Sequence, residues 1–349
     1  MKFRFMEPFY LAAIAYGFVL EGINIMLIPQ LLAQQVEGGE YYSGFILGMQ
    51  AAGALLGPLW GMLCEKSGRH RMLLTGVLLL ASISQAALLL ASELWHWIAL
   101  VSVLSVSIPA SLTCLMCCIF HRHPAIEWDQ RQNNLLMVQA VAAVGGLAIA
   151  SYFPGERAAE GMLLGALIMF ISALAALFTT PGHQAFQTVQ KETPSASSER
   201  NLRGSLPLVF WVVMLAWVLV NTANNLFFYS YSQAMDIIFD IGQSVSPLII
   251  GGASALALLV YPKIGDICRR VNAFHLLHTA FIVRISSVTG LLLAALYLPT
   301  GTQQLLLAVS FLMCLYRLSW NAMFTGASVL LAKLGHNNRM MDPINWTGS

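Results

Sequence analysis

Long apolar stretches alternate with short polar ones along almost the whole of this 349-residue chain. A helix needs about 20 apolar residues to cross a hydrocarbon core about 30 Å thick. Ten stretches meet that requirement, and each is predicted to be a helix because backbone polar groups in lipid must be satisfied within their own segment. The stretches are residues 8–33, 42–63, 72–91, 97–120, 135–153, 161–180, 207–235, 245–262, 274–298 and 303–332.

The composition is that of a protein immersed in lipid. Hydrophobic residues make up 58% of the chain and charged residues 10%, with a mean hydropathy of +0.71, whereas about a quarter of the residues of soluble proteins are charged. The sequence therefore predicts an all-α polytopic membrane protein and argues against a water-soluble enzyme.

The positive charges are confined to one side of the predicted crossings. Fifteen of the 18 Lys and Arg residues lie in every second gap or at the termini, and the positive-inside rule makes that side cytoplasmic. Only Arg157 lies on the other side, while Arg284 and Arg317 fall inside the ninth and tenth helices. We expect a multi-pass plasma-membrane protein, of a bacterial inner membrane, with both termini in the cytoplasm.

An acidic residue followed four positions later by an arginine occurs at the ends of the second and the eighth stretch. Glu65 and Arg69 form the first copy, and Asp266 and Arg270, each 201 positions later, form the second, in what we predict to be short loops. Residues 181–205 are rich in Ser, Thr, Gln and charge, as linkers are. The predicted division is an N-terminal bundle (1–180), a cytoplasmic linker (181–205) and a C-terminal bundle (206–349).

The first copy, Gly-Met-Leu-Cys-Glu-Lys-Ser-Gly-Arg-His-Arg at 61–71, resembles the loop motif Gly-x-Leu-x-Asp-x-x-Gly-Arg-Lys/Arg of the major facilitator superfamily, with Glu65 in place of the Asp. The resemblance implies two pseudo-symmetric six-helix bundles that move a solute by alternating access. It also implies that the loop residues latch one closed state against a facing helix, which is helix eleven for the first copy and helix five for the second. These latch residues are Gly61, Glu65, Gly68, Arg69, Arg71, Asp266 and Arg270.

The resemblance also sets an expected length. A half-repeat of about 200 residues predicts about 400 in total, so residues 337–349 are interpreted as the loop before, and the start of, an eleventh helix. We expect helices eleven and twelve to be missing and the C-terminal bundle to hold four helices. An inactive or regulatory membrane fragment is therefore one alternative to a working transporter.

Glu21 and Arg317 are the candidates for proton coupling. The resemblance implies that helices one, four, seven and ten line a central cavity, and Glu21 is the only acidic residue inside a predicted crossing. A charge at the bilayer centre costs at least about 2.5–3.5 kcal/mol, so it should face protein or water. A Glu21–Arg317 pair across the cavity could be broken by a proton or by substrate. The alternatives are a permanent structural pair and an Arg317 that bonds carbonyls in its own bundle. For Arg284, snorkelling or local hydrogen bonding is the interpretation.

Polar and aromatic residues in the first, seventh and tenth helices are the candidates for substrate binding. Asn221, Asn225 and Tyr229 share one helical face at i, i+4 and i+8. Asn side chains also join helices without any ligand, so that alternative stays open. The candidates are Asn24, Asn221, Asn225, Tyr229, Trp320 and Asn321, with Gln139 as a further donor or acceptor.

Two transport functions fit these residues; the first is the predicted one and the second is its alternative. Pro29, eight positions after Glu21, resembles the first helix of proton-coupled drug exporters, which favours an antiporter for the efflux of small amphipathic compounds. The polar face of helix seven favours instead a carrier of a sugar, organic acid or siderophore. No phosphate-binding loop that would indicate nucleotide-driven pumping occurs.

No cofactor or metal is expected, and the six cysteines are interpreted as reduced packing residues. The expected partners are a small-molecule substrate, protons and the bilayer, without nucleic acid, and the oligomeric state is left open.

The topology can be tested at the two repeat copies. Cysteines placed at Lys66 and Lys263, in a variant without the native cysteines, should react with an impermeant thiol reagent from the same side of the membrane, the cytoplasmic one. Labelling from opposite sides would contradict the predicted topology.

Overall fold

The computed structural model describes residues 7–123, 128–180, 208–242 and 244–337. Within these ranges there are ten long helical stretches, which we number α1 to α10. They are α1 (Pro8–Gln35), α2 (39–67), α3 (His70–Leu90), α4 (Leu94–Arg122), α5 (Trp128–Ala150), α6 (Gly155–Thr179), α7 (Leu208–Ile237), α8 (Ser246–Val271), α9 (Ala273–Tyr297) and α10 (Gln303–Asn337).

Each predicted apolar stretch corresponds to one of these helices. Most helices continue past the apolar residues by several positions, because a helix does not have to end where the hydrocarbon ends. Six helices are long and apolar enough to cross a bilayer in the described part of the chain: α1, α3, α4, α6, α9 and the Gln303–Ala327 part of α10. In α5 and α8 the apolar parts within the described residues are shorter, Asn134–Ala150 and Ser246–Tyr261. The all-α polytopic fold class is confirmed.

The predicted loop at the second repeat copy is wrong. Helix α8 continues to Val271, so Asp266 and Arg270 lie in its last turns. At the first copy the helix does end, at Ser67, and Gly68 has the left-handed φ of 60° that a glycine adopts without strain. Its amide donates to the carbonyl of Cys64 at 3.0 Å.

Helix packing joins the helices in two sets and then joins the sets to each other. Helix α1 packs against α5 and α6, α3 against α4 and α6, and α2 against α4; on the other side, α10 packs against α8 and α9. Contacts between α5 and α8 and between α2 and α7 connect these sets. In the second of these, Gln233 Nε2 donates to Ser43 Oγ at 2.7 Å. The bundle boundaries remain a prediction, and residues 181–205 and 338–349 lie outside the described ranges.

Glycines bring the backbones of α1 and α5 into direct contact. A Cβ atom at Gly17 would lie 1.9 Å from the Gln139 carbonyl oxygen, and one at Gly146 would lie 2.2 Å from the carbonyl oxygen of Phe18. A Cβ at Gly22 would be 2.7 Å from the Gly146 Cα. Small residues permit such close approach in membranes. The two helices are therefore fixed against each other without intervening side chains.

This contact predicts a strong effect of a single methyl group. We expect Gly146→Ala to destabilise the protein by about 1–3 kcal/mol, because the helices must separate to admit the new Cβ. The matched control is Gly76→Ala on α3, where an added Cβ meets no atom within 4 Å. Thermal unfolding of the purified variants in detergent measures the difference, and equal stabilities would show that the backbone contact is not limiting.

Candidate functional site

A cavity of about 130 Å³ opens where α1, α4, α5, α7, α8 and α10 approach one another. The four helices expected to line it all do so, and α5 and α8 contribute as well. Its lining combines polar groups with aromatic and aliphatic side chains. The residues are Tyr16, Leu20, Glu21, Ile25, Leu112, Leu136, Gln139, Ala140, Asn224, Phe228, Tyr261, Arg317, Trp320, Asn321 and Phe324.

Glu21 and Arg317 form an ion pair in this cavity. Arg317 Nη2 lies 3.6 Å from Glu21 Oε2, and the side chains are 7% exposed for Arg317 and 29% exposed for Glu21. Glu21 belongs to a π-helical segment, Tyr16–Asn24, of a kind that is frequent at functional sites. The contact expected from the sequence is thus present, and it links the first helix to the tenth. Its role in proton coupling remains a prediction.

Two further contacts hold the Arg317 guanidinium. Its Nε donates to Ser254 Oγ on α8 at 2.7 Å, and its Cζ lies 4.9 Å from the centroid of the Phe228 ring on α7. Three helices therefore contribute to solvating a charge that is almost fully removed from water. The geometry favours a cross-cavity pair over an arginine that bonds only backbone carbonyls of its own helix.

Two amide groups of the lining are buried with the donor capacity of their NH₂ groups unused among the described residues. Gln139 is 3% exposed and Asn321 is 8% exposed. Neither Gln139 Nε2 nor Asn321 Nδ2 has a hydrogen-bond partner among the described residues. A buried donor without a partner costs about 1–3 kcal/mol, so groups of this kind are suited to bind a ligand that supplies acceptors.

Arg284 lies behind the cavity rather than in its lining. Its Nη2 donates to Asn224 Oδ1, and its Nη1 donates to the Tyr316 carbonyl at 3.4 Å and to Ser319 Oγ at 3.5 Å. The guanidinium also lies over the Tyr316 ring, with the Cζ 3.8 Å from the centroid. Of the two interpretations of Arg284, local hydrogen bonding describes it, while snorkelling does not fit a residue that is 7% exposed.

Asn24 does not face the cavity, which corrects its assignment to substrate binding. It is fully buried and exchanges hydrogen bonds with Gln85 on α3: Asn24 Nδ2 donates to Gln85 Oε1 at 3.2 Å, and Gln85 Nε2 donates to Asn24 Oδ1 at 2.7 Å. The physical reason is the π-helical segment, whose wider turn rotates Asn24 further from Glu21 than α-helical spacing would. Asn24 joins two helices.

In helix seven, the described lining residues are Asn224 and Phe228, one turn apart. The side chains of Asn221, Asn225 and Tyr229 lie outside the described part of the structure, so the face predicted for them stays a prediction. Trp320 and Asn321, predicted on α10, both line the cavity.

The predicted latch residues lie at the helix ends. Arg69 and Arg270 are exposed, and the Arg69 amide donates to Ser67 Oγ at 3.3 Å. Gly61 would place a Cβ 3.9 Å from Thr113 on α4, and Arg71 lies in the first turn of α3. The side chains of Glu65 and Asp266 lie outside the described part, and the latch remains a prediction.

Sequence reasoning missed several cavity residues, among them two tyrosines and a phenylalanine. Tyr16 lies on α1 five positions before Glu21, Phe228 lies one turn after Asn224, and Tyr261 lies on α8. For Tyr16 the sequence contained no signal, because residues five positions apart lie on different faces of an α-helix and come together here only through the π-helical segment. Tyr261 offered none, because the resemblance implied no role for helix eight in the lining.

Cysteines cluster where α2 meets α4, with Cys64 Sγ 3.0 Å from Cys114 Sγ and both residues buried. No group of three or more His, Cys, Asp or Glu side chains within the described residues is placed to hold a metal ion.

The Asn24–Gln85 pair makes a prediction about stability. We expect Asn24→Ala and Gln85→Ala each to lower the free energy of unfolding by about 1–3 kcal/mol, because each leaves the buried amide of the other residue without this hydrogen-bond partner. In the double variant the penalties should not add, with a coupling of about 0.5–2 kcal/mol, while solute affinity is unchanged. Detergent-state unfolding of all four proteins measures the coupling. Additive losses of unfolding free energy, together with a loss of solute affinity, would support the assignment of Asn24 to the binding site.

Several solved transporters share this fold. A mutant of the nucleoside transporter NupG aligns with a TM-score of 0.67 and 13% identity over 93% of this chain and 82% of its own. The xylose transporter XylE from E. coli, in a partially occluded inward-open conformation, aligns with a TM-score of 0.69 and 13% identity over 95% of this chain and 87% of its own. A D-xylose-proton symporter aligns at 0.59 and 13%, covering 97% and 90%. At such identities the likeness establishes the fold alone.

None of the curated proteins matches the sequence significantly. The sequence model of the Major Facilitator Superfamily, in contrast, matches residues 9–341, which is nearly the whole chain. The ten helices, the loop motif at 61–71 and the helices that line the cavity agree with that match. This chain is a multi-pass membrane transporter, not an enzyme, and it belongs to the Major Facilitator Superfamily.

Proposed function

We propose that the protein moves a small polar metabolite across the membrane by proton-coupled alternating access. The observation that carries this proposal is one cavity that contains both the Glu21–Arg317 pair and the unpaired buried amides of Gln139 and Asn321. The pair supplies a group that can bind a proton, and the amides supply groups that can bind a solute.

Coupling follows from the position of the pair. Glu21 belongs to the proposed N-terminal bundle (1–180) and Arg317 to the proposed C-terminal bundle (206–349). Protonation of Glu21 removes the attraction between them, which changes the relative free energies of states that differ in the separation of the bundles. We propose that the two bundles rock about the cavity while the linker at 181–205 joins them.

Aromatic side chains suit such a solute. Phe228, Trp320 and Phe324 line the cavity, and a flat solute can pack against aromatic side chains while its polar edges reach the amides. A solute with both features fits this lining best.

A second candidate is proton-coupled export of small amphipathic compounds. The aliphatic part of the lining, with Leu20, Ile25, Leu112 and Leu136, favours it, as does the spacing of Glu21 and Pro29. The buried unpaired amides weigh against it, because an apolar cargo would leave them unsatisfied.

The test is transport by the reconstituted protein under an imposed pH gradient. Xylose, uridine and pyruvate represent polar solutes, and rhodamine 6G represents amphipathic cargo. We expect a polar solute to move with the gradient and the dye not to move. Outward movement of the dye without any polar solute would support the second candidate instead.

The coupling role of the pair leads to a separate prediction. We expect Arg317→Gln to lower proton-driven transport by about 10-fold to 100-fold and to remove its pH dependence. The change removes the ion pair with Glu21 and the hydrogen bond of the charged guanidinium to Ser254, and a hydrogen bond to a charged group is worth about 1.5–3 kcal/mol. Arg157→Gln is the matched control: this exposed arginine bonds only locally, to Glu160 at 2.9 Å and to the Tyr152 carbonyl at 3.5 Å. Initial rates measured over a pH series decide, and an unchanged profile for Arg317→Gln would show that the pair is not the switch.

A further inference from the structure

The orientation of the Asn224 amide is fixed from behind the cavity. Its Oδ1 accepts one hydrogen bond from the Tyr316 hydroxyl at 3.0 Å and another from Arg284 Nη2. An amide oxygen has two lone pairs, so both are used. The group that Asn224 can offer to the cavity is therefore its NH₂, a donor.

Arg284 is itself firmly held in this position. It is 7% exposed, it bonds to the Tyr316 carbonyl and Ser319 Oγ, and its guanidinium lies over the rings of Tyr316 and Trp320, with Cζ 3.8 Å and 5.2 Å from their centroids. Among the described residues no carboxylate pairs with it. Its positive charge is therefore uncompensated and lies one side chain away from the cavity.

The charges and donors around the cavity consequently favour one kind of ligand. Among the described residues at and directly behind the cavity there are two guanidinium groups, of Arg317 in the lining and Arg284 behind it, and one carboxylate, that of Glu21. The NH₂ groups of Gln139 and Asn321 are buried at the cavity. The NH₂ group of Asn224 is the end of that amide left for the cavity, because its oxygen is bonded to Tyr316 and Arg284. A carboxylate offers only acceptors to these donors. Each hydroxyl of a sugar also brings a donor, which would itself need an acceptor in the site.

We propose that the substrate is a small organic carboxylate that binds Arg317 when Glu21 is protonated. This inference rests on the proposed function and names its substrate class. Protonated Glu21 no longer competes for Arg317 Nη2, so a substrate carboxylate takes the place of the Glu21 carboxylate. One negative charge then moves together with one proton, and the transported pair carries no net charge.

The groups that face Glu21 from its neighbouring helices are consistent with such an exchange. Arg317 faces it from α10, Tyr261 from α8, Gln139 from α5 and Tyr16 from its own helix. Of these described groups, Arg317 carries the only opposing charge at neutral pH. Loss or gain of the Glu21 proton therefore changes the electrostatic interaction most strongly at Arg317, the residue proposed to bind the substrate carboxylate.

Arg284 acts in this scheme as a positioning residue. It does not line the cavity, but it keeps the acceptor oxygen of Asn224 turned away from the substrate. Its loss would let the Asn224 amide present either end, and the site would discriminate less between a carboxylate and a neutral analogue of the same shape.

The test compares carboxylates with their own amides. Acetate, pyruvate, benzoate and nicotinate, each with the corresponding primary amide, are titrated calorimetrically into the purified protein in acidic and alkaline buffers, with xylose and uridine alongside. We expect at least one carboxylate to bind about 10-fold or more tightly than its amide, only at acidic pH, and with uptake of one proton per bound molecule.

Variants separate the roles of the residues. Glu21→Gln should bind the carboxylate without proton uptake and with an affinity independent of pH, while Arg317→Gln should lose binding. Arg284→Met should lower the carboxylate-to-amide affinity ratio, whereas Arg284→Lys, which keeps the charge, should restore part of it. Arg157→Gln should match the unmodified protein. An unchanged ratio in Arg284→Met would overturn the positioning role.

The outcomes distinguish this inference from the proposed function. Binding of xylose or uridine without any carboxylate would overturn the carboxylate assignment and leave a polar-metabolite transporter. Equal binding of carboxylates and amides, or binding without proton uptake, would also overturn it. If no polar solute binds or moves, both proposals fail.

Discussion

A charged side chain placed in hydrocarbon must recover from protein what it loses from water, and it does so only if several helices meet around it. The Arg317 guanidinium meets that condition through Glu21 on α1, Ser254 on α8 and the ring of Phe228 on α7. The Arg317 guanidinium, on α10, thus makes contacts that connect α10 to α1, α7 and α8. The cavity lies around this guanidinium, and the side chain of Glu21 remains 29% exposed.

The fold was largely predictable from the sequence because the hydrocarbon thickness sets the length of every apolar stretch. The apolar stretches indicated the number and order of the helices, and the positive charges in alternate gaps predict which side of the membrane each gap faces. Helix ends were less predictable: α5 begins at Trp128, well before the apolar run at 135–153, and α8 continues through Asp266 and Arg270. Hydrophobicity reports where lipid ends, and a helix held by its own hydrogen bonds continues into water.

The site was predictable where a charge was involved and less so elsewhere. Glu21 and Arg317 could be identified because inserting a charged side chain into a membrane costs free energy, so such a residue is expected to have a partner or a function. Asn24 was misplaced because a π-helical segment changes which residues share a face, and no local pattern of residues indicates that segment. In helix seven, several polar residues offered competing faces, and only packing against α10 placed Asn224 beside Tyr316 and Arg284. Uncharged lining residues depend on neighbours that local periodicity cannot identify.

The glycine contact between α1 and α5 has a mechanical consequence for the cavity. Gly17 touches the backbone of Gln139 itself, and Gly22 touches Gly146. No side-chain rearrangement can change the spacing of two backbones already in van der Waals contact. Glu21 on α1 and Gln139 on α5 are therefore expected to move together as one rigid unit. Any dilation or compression of the cavity must come from displacement of the opposite wall, which carries Arg317, Asn321 and Tyr261.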